Sequence, residues 1–118
     1  MEKITYTDFK KMQLLTAEIK EAVAVPKTDK LVHCKLDIGQ EELRDVVAGI
    51  REHYKPEDLV GKKVIYLANL EPRKLRGILS HGMLLAAANY SDTEVNPAAE
   101  TLSLLFTDKD LPNGTMVG

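Results

Sequence analysis

The sequence contains little of what disulfide-bonded, membrane-spanning or base-stacking proteins need. Its 118 residues include one cysteine, no tryptophan, four tyrosines and two phenylalanines. A single Cys34 cannot form an internal disulfide, and no apolar run is long enough for a membrane span or a signal-peptide core. So few aromatics also argue against a long single-strand groove paved with stacking platforms. These absences predict one cytoplasmic domain, residues 1–118, with no membrane contact.

Signatures of catalysis and of bound cofactors are missing from the sequence as well. It contains no phosphate-cradling glycine loop, no dinucleotide fingerprint and no ATP-site sequence. His33 and His53 have no Cys or Asp partners at metal-site spacing. Ser80 and His81 could suggest a nucleophile and its base, but adjacent residues of a strand point to opposite faces. The sequence therefore predicts no cofactor, no metal and no catalytic residue.

The formal net charge of −2 conceals an uneven distribution of charge along the chain. Residues 1–59 carry ten Lys or Arg against twelve Asp or Glu, and residues 83–118 carry one cation against five acids. Between them, residues 60–82 have five cations and only Glu71 as an acid, which gives this band a charge of +4. The five cations are Lys62, Lys63, Arg73, Lys74 and Arg76. Such a band would attract an anionic partner, although charge alone also fits ordinary solvated side chains.

Alternation of apolar and polar residues predicts a mostly extended chain. Strands are expected over residues 14–25 (with a bulge at Glu21), 32–38, 44–48, 63–67, 75–79, 83–88 and 101–106. Thr7 and Asp8 are placed to cap a short helix through Lys11, and Pro56 is placed to begin a second helical segment. Short strands at this spacing, with a helix between the third and fourth, predict an all-β, five-stranded Greek-key barrel of the oligonucleotide-binding (OB) type.

The most specific motif is the run Asn-Leu-Glu-Pro-Arg-Lys-Leu-Arg-Gly at residues 69–77, followed by Ser-His-Gly-Met at residues 80–83. Pro72 cannot donate a backbone hydrogen bond, which is typical of a strand edge. If this segment is extended, Lys74 and Arg76 stand on one face roughly 7 Å apart. That spacing suits a polyanion backbone better than a single carboxylate.

The motif and further segments along almost the whole chain resemble one known family. This is the tRNA-binding barrel found at the carboxyl end of many methionyl-tRNA synthetases, as a separate synthetase β subunit, and as a free-standing tRNA-binding protein. Matching segments include Asp8-Phe9, Asp37-Ile38-Gly39, Leu59-Val60-Gly61-Lys62 and Pro112-Asn113-Gly114. The chain departs from the family's usual residues at Leu15, Ala48 and His81, which removes one cation and one hydroxyl.

The resemblance implies binding to the folded shape of tRNA, through phosphate and sugar contacts more than base edges. The implied contact residues are Lys30, Asn69, Arg73, Lys74, Arg76, Ser80 and Met83. Arg73 and Arg76 would bind phosphate with two parallel hydrogen bonds each, and Lys74 would act as a point charge. The alternative is that the two arginines pair with nearby acids such as Glu71.

The uncharged candidates have structural alternatives too. Asn69 and Ser80 offer short polar groups for a ribose hydroxyl or a phosphate oxygen, but Asn69 is equally suited to satisfy local backbone in a turn. Met83 would pack in the core or place its soft thioether under a nucleotide. Lys30 lies at the predicted tip of the first hairpin and is a further candidate for phosphate contact.

The resemblance also implies partners and competing functions. Residues 89–118, with Leu102, Leu104, Leu105 and Phe106, are assigned as a C-terminal extension that forms a homodimer interface, the alternative being a plug for the barrel end. A methionyl-tRNA synthetase catalytic chain is an expected partner, since the module would concentrate tRNA near it without being catalytic itself. Two other functions remain as hypotheses: a dimeric peptide-binding export chaperone, which resembles the same module, and, from the residues alone and not from the resemblance, a hydrolase that uses Ser80 and a histidine.

Overall fold

The computed structural model describes residues 1–90 and 99–118, so residues 91–98 of the predicted C-terminal extension lie outside the described part. The elements in chain order are α1 (Tyr6–Lys10), β1 (Leu14–Ala24), β2 (Val32–Asp37), β3 (Arg44–Ala48), α2 (Pro56–Leu59), β4 (Lys63–Leu67), β5 (Arg73–Leu75), β6 (Ile78–Ser80), β7 (Met83–Leu84), β8 (Ala86–Tyr90), β9 (Ala99–Leu104) and β10 (Met116–Val117). None of the helices within these residues is long and apolar enough to cross a membrane.

Five of the strands form a nearly closed antiparallel barrel, in the order β3-β2-β1-β4-β7. The free edge of β3 is joined to the segment that leads into β7. The His81 amide donates to the Asp45 carbonyl at 2.8 Å, and the Val47 amide donates to Ser80 Oγ at 2.9 Å. With α2 between β3 and β4 in the chain, this arrangement confirms the predicted OB-fold barrel.

The first half of the chain follows the predicted elements closely. The bounds of β3 and β4 coincide with the predicted ones, α2 begins at Pro56 as predicted, and β1 has its register shift between Ile19 and Glu21. The cap of α1 was predicted wrongly. Thr5, not Thr7 or Asp8, is the N-cap residue, and its Oγ1 accepts a hydrogen bond from the Asp8 amide at 3.0 Å. Thr5, Thr7 and Asp8 all carry side-chain oxygens suited to an N-cap, so the sequence leaves this choice open.

The barrel core is built from inward-facing residues of β1, β2, β3 and β4, and Leu59 of α2, Leu84 of β7 and Leu104 of β9 complete it. Cys34 is buried there, and burial raises the pKa of its thiol to about 11. Tyr66 is the largest fully buried side chain, and its hydroxyl donates to the His81 carbonyl. Gly82 follows at a point where a Cβ atom would lie 2.2 Å from the Leu67 carbonyl oxygen, so only glycine fits. These contacts fix the end of β6 against β4.

The C-terminal segment returns to the barrel and pairs with β1, which the sequence did not predict. Short β10 aligns Met116 with Leu15. Buried Thr16 donates through Oγ1 to the Pro112 carbonyl and accepts from the Thr115 amide, both at 2.9 Å. Gly114 packs so closely that a Cβ atom would lie 2.2 Å from the Ile38 carbonyl oxygen. Residues 112–117 therefore belong to the barrel body.

Candidate nucleic-acid interface

The basic motif folds into a small hairpin that projects from the barrel. Strands β5 and β6 pair with Leu75 opposite Ile78, so Arg76 and Gly77 form a two-residue turn. Both have positive φ, 51° and 82°, which is the type I′ geometry preferred in hairpins. The single strand predicted over residues 75–79 is therefore wrong. Lys74 and Arg76 do not share a strand face, because β5 ends at Leu75.

The three cations of the hairpin point in different directions. Arg73 is paired with buried Ser80, so it lies on the face of the hairpin that is turned to the barrel. Lys74 is opposite Leu79 on the other face, where Leu79 keeps 45% of its surface exposed. Arg76 occupies the tip. The hairpin thus presents positive charge on both faces and at its end.

All three of these cations are exposed side chains. Within residues 1–90 and 99–118, none of them has a carboxylate within the 4.0 Å that defines an ion pair, and Glu71 is paired with neither arginine. The alternative in which Arg73 and Arg76 neutralise Glu71 is thus not found in the described part of the chain. The charges of the hairpin are available to an external anion.

The remaining cations of the band lie at the opposite end of β4. Lys63 begins that strand, donates to Asn113 Oδ1 at 2.9 Å, and lies within 4.0 Å of Glu18 and Asp110. Lys62 lies over the Tyr54 ring, 5.8 Å from its centroid. Because β4 separates these lysines from the hairpin, the single basic band of the sequence becomes two patches in the structure. Only the hairpin patch has all its cations unpaired among described residues.

A groove of about 510 Å³ lies between the hairpin and the barrel. Its lining is mostly apolar, with Glu71 and Arg73 as its charged members. The lining residues are Leu31, Val47, Ala48, Gly49, Ile50, Leu70, Glu71, Arg73, Leu75, Ser80, Gly82, Met83, Leu84, Ala86 and Leu102. Met83 is 47% exposed in this lining, so about half of its surface is packed against the protein and half faces the groove or solvent.

Lys30 lies beside the groove, at the tip of the β1–β2 hairpin, next to groove residue Leu31. Its side chain is exposed, and its carbonyl accepts from the Arg51 amide at 3.1 Å. The Arg51 guanidinium in turn donates to the Thr28 carbonyl at 2.6 Å. Arg51 is an exposed cation that sequence reasoning missed, since nothing in its local pattern marks it. It steadies the loop that carries Lys30.

The two uncharged polar candidates have partners within the protein. Ser80 is only 4% exposed, and its hydroxyl accepts the Val47 amide that closes the barrel. Asn69 is exposed, but its Oδ1 accepts from the Gln13 amide at 2.8 Å and its Nδ2 donates to the Lys11 carbonyl at 2.6 Å. Asn69 therefore holds the chain after α1 against the end of β4. The two backbone groups that Asn69 binds lie 56 and 58 residues earlier in the chain. Asn69 therefore does not satisfy the backbone of a local turn, which was the predicted alternative.

An OB-fold barrel with unpaired cations on its projecting hairpin has the features of a nucleic-acid-binding protein. The sequence profile of a family described as "Putative tRNA binding domain" matches residues 14–116. The chain belongs to this tRNA-binding domain family, and the resemblance predicted from residues 69–83 is confirmed.

Three known proteins illustrate the similarity. The methionine–tRNA ligase of Caldanaerobacter subterraneus subsp. tengcongensis is 48% identical over 114 residues, which cover 97% of this chain but 16% of the ligase. A methionyl-tRNA synthetase related protein from Pyrococcus horikoshii superposes with a TM-score of 0.85 at 32% identity, with full coverage of both chains. Chaperone CsaA from Bacillus anthracis superposes with a TM-score of 0.81 at 25% identity, covering 99% of this chain and 100% of the chaperone chain. The chain thus spans about a sixth of the length of the ligases it matches.

Proposed function

We propose that this protein binds tRNA through the β5–β6 hairpin and the adjoining β1–β2 loop, by contacts to the sugar-phosphate backbone. The observation that carries the proposal is the hairpin itself. It holds Arg73, Lys74 and Arg76 exposed on a two-stranded support, with no described acid in ion-pair range. A rigid support lowers the entropy lost when several charges bind one ligand. Membership of the tRNA-binding domain family supports tRNA as the polyanion.

The proposed contacts are distributed by the geometry of the side chains. Arg73 and Arg76 bind phosphate with bidentate hydrogen bonds, while Lys74 and Lys30 contribute point charges. Met83 faces the groove beside them. Ser80 supports this surface from beneath by closing the barrel and makes no direct contact, because it is buried. Asn69 supports it by anchoring the chain after α1, and its second amide hydrogen is left for a phosphate oxygen.

The chain would support aminoacylation without catalysing it. The similarity to one-sixth of a methionine–tRNA ligase suggests that the domain works in the cytoplasm beside the catalytic part of such an enzyme. There it would hold tRNA close to the catalytic centre and raise its effective concentration, which lowers the apparent dissociation constant without changing the chemical step. A stable complex with a methionyl-tRNA synthetase catalytic chain, detected by co-purification, is the expected result.

Gel retardation of tRNA tests the binding surface. Replacement of both hairpin arginines, Arg73→Ala with Arg76→Ala, is expected to weaken binding by about a hundredfold or more, since each removes a charge-assisted contact. A matched variant, Lys55→Ala with Lys109→Ala, removes two exposed cations from the other end of β4 and should bind normally. Equal weakening in both double variants would mean that only net charge matters. Unchanged binding in both would reject the hairpin as the site.

We further propose a homodimer that doubles the tRNA-binding surface. Leu102 and Leu104 pack on the barrel core, which fits the plug alternative for part of the extension, but Phe106 is 74% exposed. Leu105, Leu111 and Met116 are exposed apolar residues of the same segment. Phe106→Glu should convert a dimer to a monomer in analytical ultracentrifugation, whereas Thr101→Glu on exposed β9 should not. A wild-type monomer at micromolar concentration would contradict the proposal.

Peptide binding is the second candidate function, because chaperone CsaA shares the fold over nearly the whole chain. The apolar groove is the surface that would receive a peptide. Competition between an unfolded peptide and labelled tRNA separates the two functions. If tRNA binds and the peptide neither binds nor competes, the tRNA function stands alone.

A further inference from the structure

The groove beside the hairpin carries an inference that rests on the proposed function and refines it. We infer that this groove receives one unstacked nucleobase of the bound RNA, and that it favours a base bearing an amino group. Backbone contacts to the hairpin explain affinity for any polyanion. A base in the groove would add selection for RNA that has an unpaired, accessible nucleotide at the contacted position.

The size and lining of the groove suit the flat, weakly polar face of a base. Its volume of about 510 Å³ is within the range of small-molecule sites. The floor combines aliphatic side chains with Met83, whose polarizable thioether packs well against aromatic rings. The aliphatic members are Leu31, Ile50, Leu70, Leu75, Leu84, Ala86 and Leu102. A phosphate alone would gain nothing from this surface, because burial of charge against apolar atoms is unfavourable.

The two charged lining residues match the two polar parts of a nucleotide. Arg73 lines the groove from strand β5, where it can bind the phosphate of the same nucleotide. Glu71 is an exposed carboxylate in the same lining, and it repels phosphate but accepts hydrogen bonds from the amino groups of cytosine, adenine or guanine. Glu71 and Arg73 are not within ion-pair distance of each other, so each is free for its own contact.

Charge favours RNA over an apolar peptide as the occupant. Arg73 lies in the lining together with Glu71, and exposed Lys30, which has Asp29 as its neighbour in the chain, lies beside the groove. An uncharged apolar peptide would fill the floor but would leave these cations without partners. A nucleotide satisfies the floor, Glu71 and the cations together.

A matched pair of substitutions on β8 tests whether the groove is filled in the complex. Ala86 lines the groove, whereas exposed Ala87 is next to it on the opposite face of the strand. Ala86→Phe should occupy the space of the base and weaken tRNA binding by about tenfold or more, since the apolar area that the base would bury against the groove is lost. Ala87→Phe should bind as the wild type does, with both variants melting as the wild type does.

The outcomes distinguish this inference from the proposed function. If Ala86→Phe binds tRNA normally while the Arg73→Ala and Arg76→Ala double variant does not, the groove is empty in the complex and only the inference fails. If neither variant changes binding, the proposed function fails as well. Equal weakening by Ala86→Phe and Ala87→Phe would assign the effect to a disturbance of strand β8 and would overturn the inference that the groove receives a base. Competition of an unfolded peptide with tRNA in the wild type, lost in Ala86→Phe, would assign the groove to peptide.

Glu71 supplies a second test that does not depend on filling the groove. Fluorescence anisotropy with hexacytidylate and hexauridylate compares two pyrimidine probes that differ in the amino group. The wild type should bind hexacytidylate at least about fivefold more tightly, and Glu71→Gln should bind both better while losing that preference. Equal affinity of the wild type for the two probes would overturn the preference for an amino-bearing base.

Discussion

Arg76 adopts a left-handed backbone conformation, φ 51°, in a turn position that usually holds Asn, Asp or Gly. A residue with a Cβ atom loses roughly 1 kcal/mol or more there. Such a cost at an exposed tip suggests that the guanidinium is kept for its contacts with a ligand and not for stability. Gly77 occupies the second position of the turn with φ 82°, a conformation that glycine adopts without steric strain.

The substitution Arg76→Asn should separate stability from function. Asparagine suits the turn, so the free energy of unfolding measured with urea should rise by about 1 kcal/mol. Binding of tRNA should weaken by about tenfold or more through loss of a charge-assisted contact. The control is Lys109→Asn, which removes an exposed cation outside the hairpin and should leave both stability and tRNA binding unchanged. A variant that is less stable and binds normally would refute this view of Arg76.

Ser80 provides the opposite case, a residue of the motif that acts inside the protein. Ser80→Ala leaves the buried Val47 amide without its partner and should lower the free energy of unfolding by about 1–3 kcal/mol. The affinity of the folded protein for tRNA should remain within about twofold of the wild type, which gel retardation at low temperature can measure. A large loss of affinity without loss of stability would restore Ser80 as a direct tRNA contact.

At the scale of elements, the C-terminal segment is locked to the barrel by a polar cluster around Asn113. The Asn113 amide donates to Glu18 at 3.3 Å and to Asp37 at 3.2 Å. The hydrogen bond from Asn113 is the largest cause of a lowered pKa of Glu18, and the hydrogen bond from Lys20 is the next largest. The pKa of Asp37 is lowered first by the Gly39 amide and then by Asn113.

Lowered pKa values make the contribution of this cluster dependent on pH. The unfolded chain binds protons more readily than the folded one, so the stabilisation is complete above the unfolded pKa values of about 4 and is lost as pH falls through the lower folded values. Asn113→Ala should therefore lower the melting temperature at pH 7, and its deficit should narrow towards about pH 2–3. Gln40→Ala, on an exposed turn, should match the wild type throughout. A deficit that is independent of pH would show that the carboxylates are not involved.

The elements also show which parts of the fold can be predicted from sequence. Strands β1 to β4 and helix α2 follow the predicted pattern because apolar alternation and a proline at the helix start are local signals. The β5–β6 hairpin was missed because its turn begins with Arg76, a residue that carries no turn signal. Strand β10 was missed because Met116 and Val117 become a strand only through pairing with Leu14 and Leu15, a hundred residues away in the chain.

At the scale of the whole molecule, the strand topology decides where the charged side chains lie more than their order in the sequence does. The band of five cations is contiguous in the chain, yet β4 carries Lys63 to one end of the barrel and the hairpin arginines to the other. The exposure of Arg73, Lys74 and Arg76 and the nature of their motif were predictable. The separate directions of these side chains, the burial of Ser80 and the groove were not, because each depends on how the barrel closes.

The salt dependence of tRNA binding tests most directly whether the hairpin cations grip the phosphate backbone. A plot of log affinity against log salt concentration has a slope that falls by roughly 0.7–0.9 for each phosphate contact removed. The Arg73→Ala and Arg76→Ala double variant should therefore have a slope shallower by about 1.4–1.8, while Lys55→Ala with Lys109→Ala keeps the wild-type slope. An unchanged slope in the hairpin variant, at any affinity, would contradict the account.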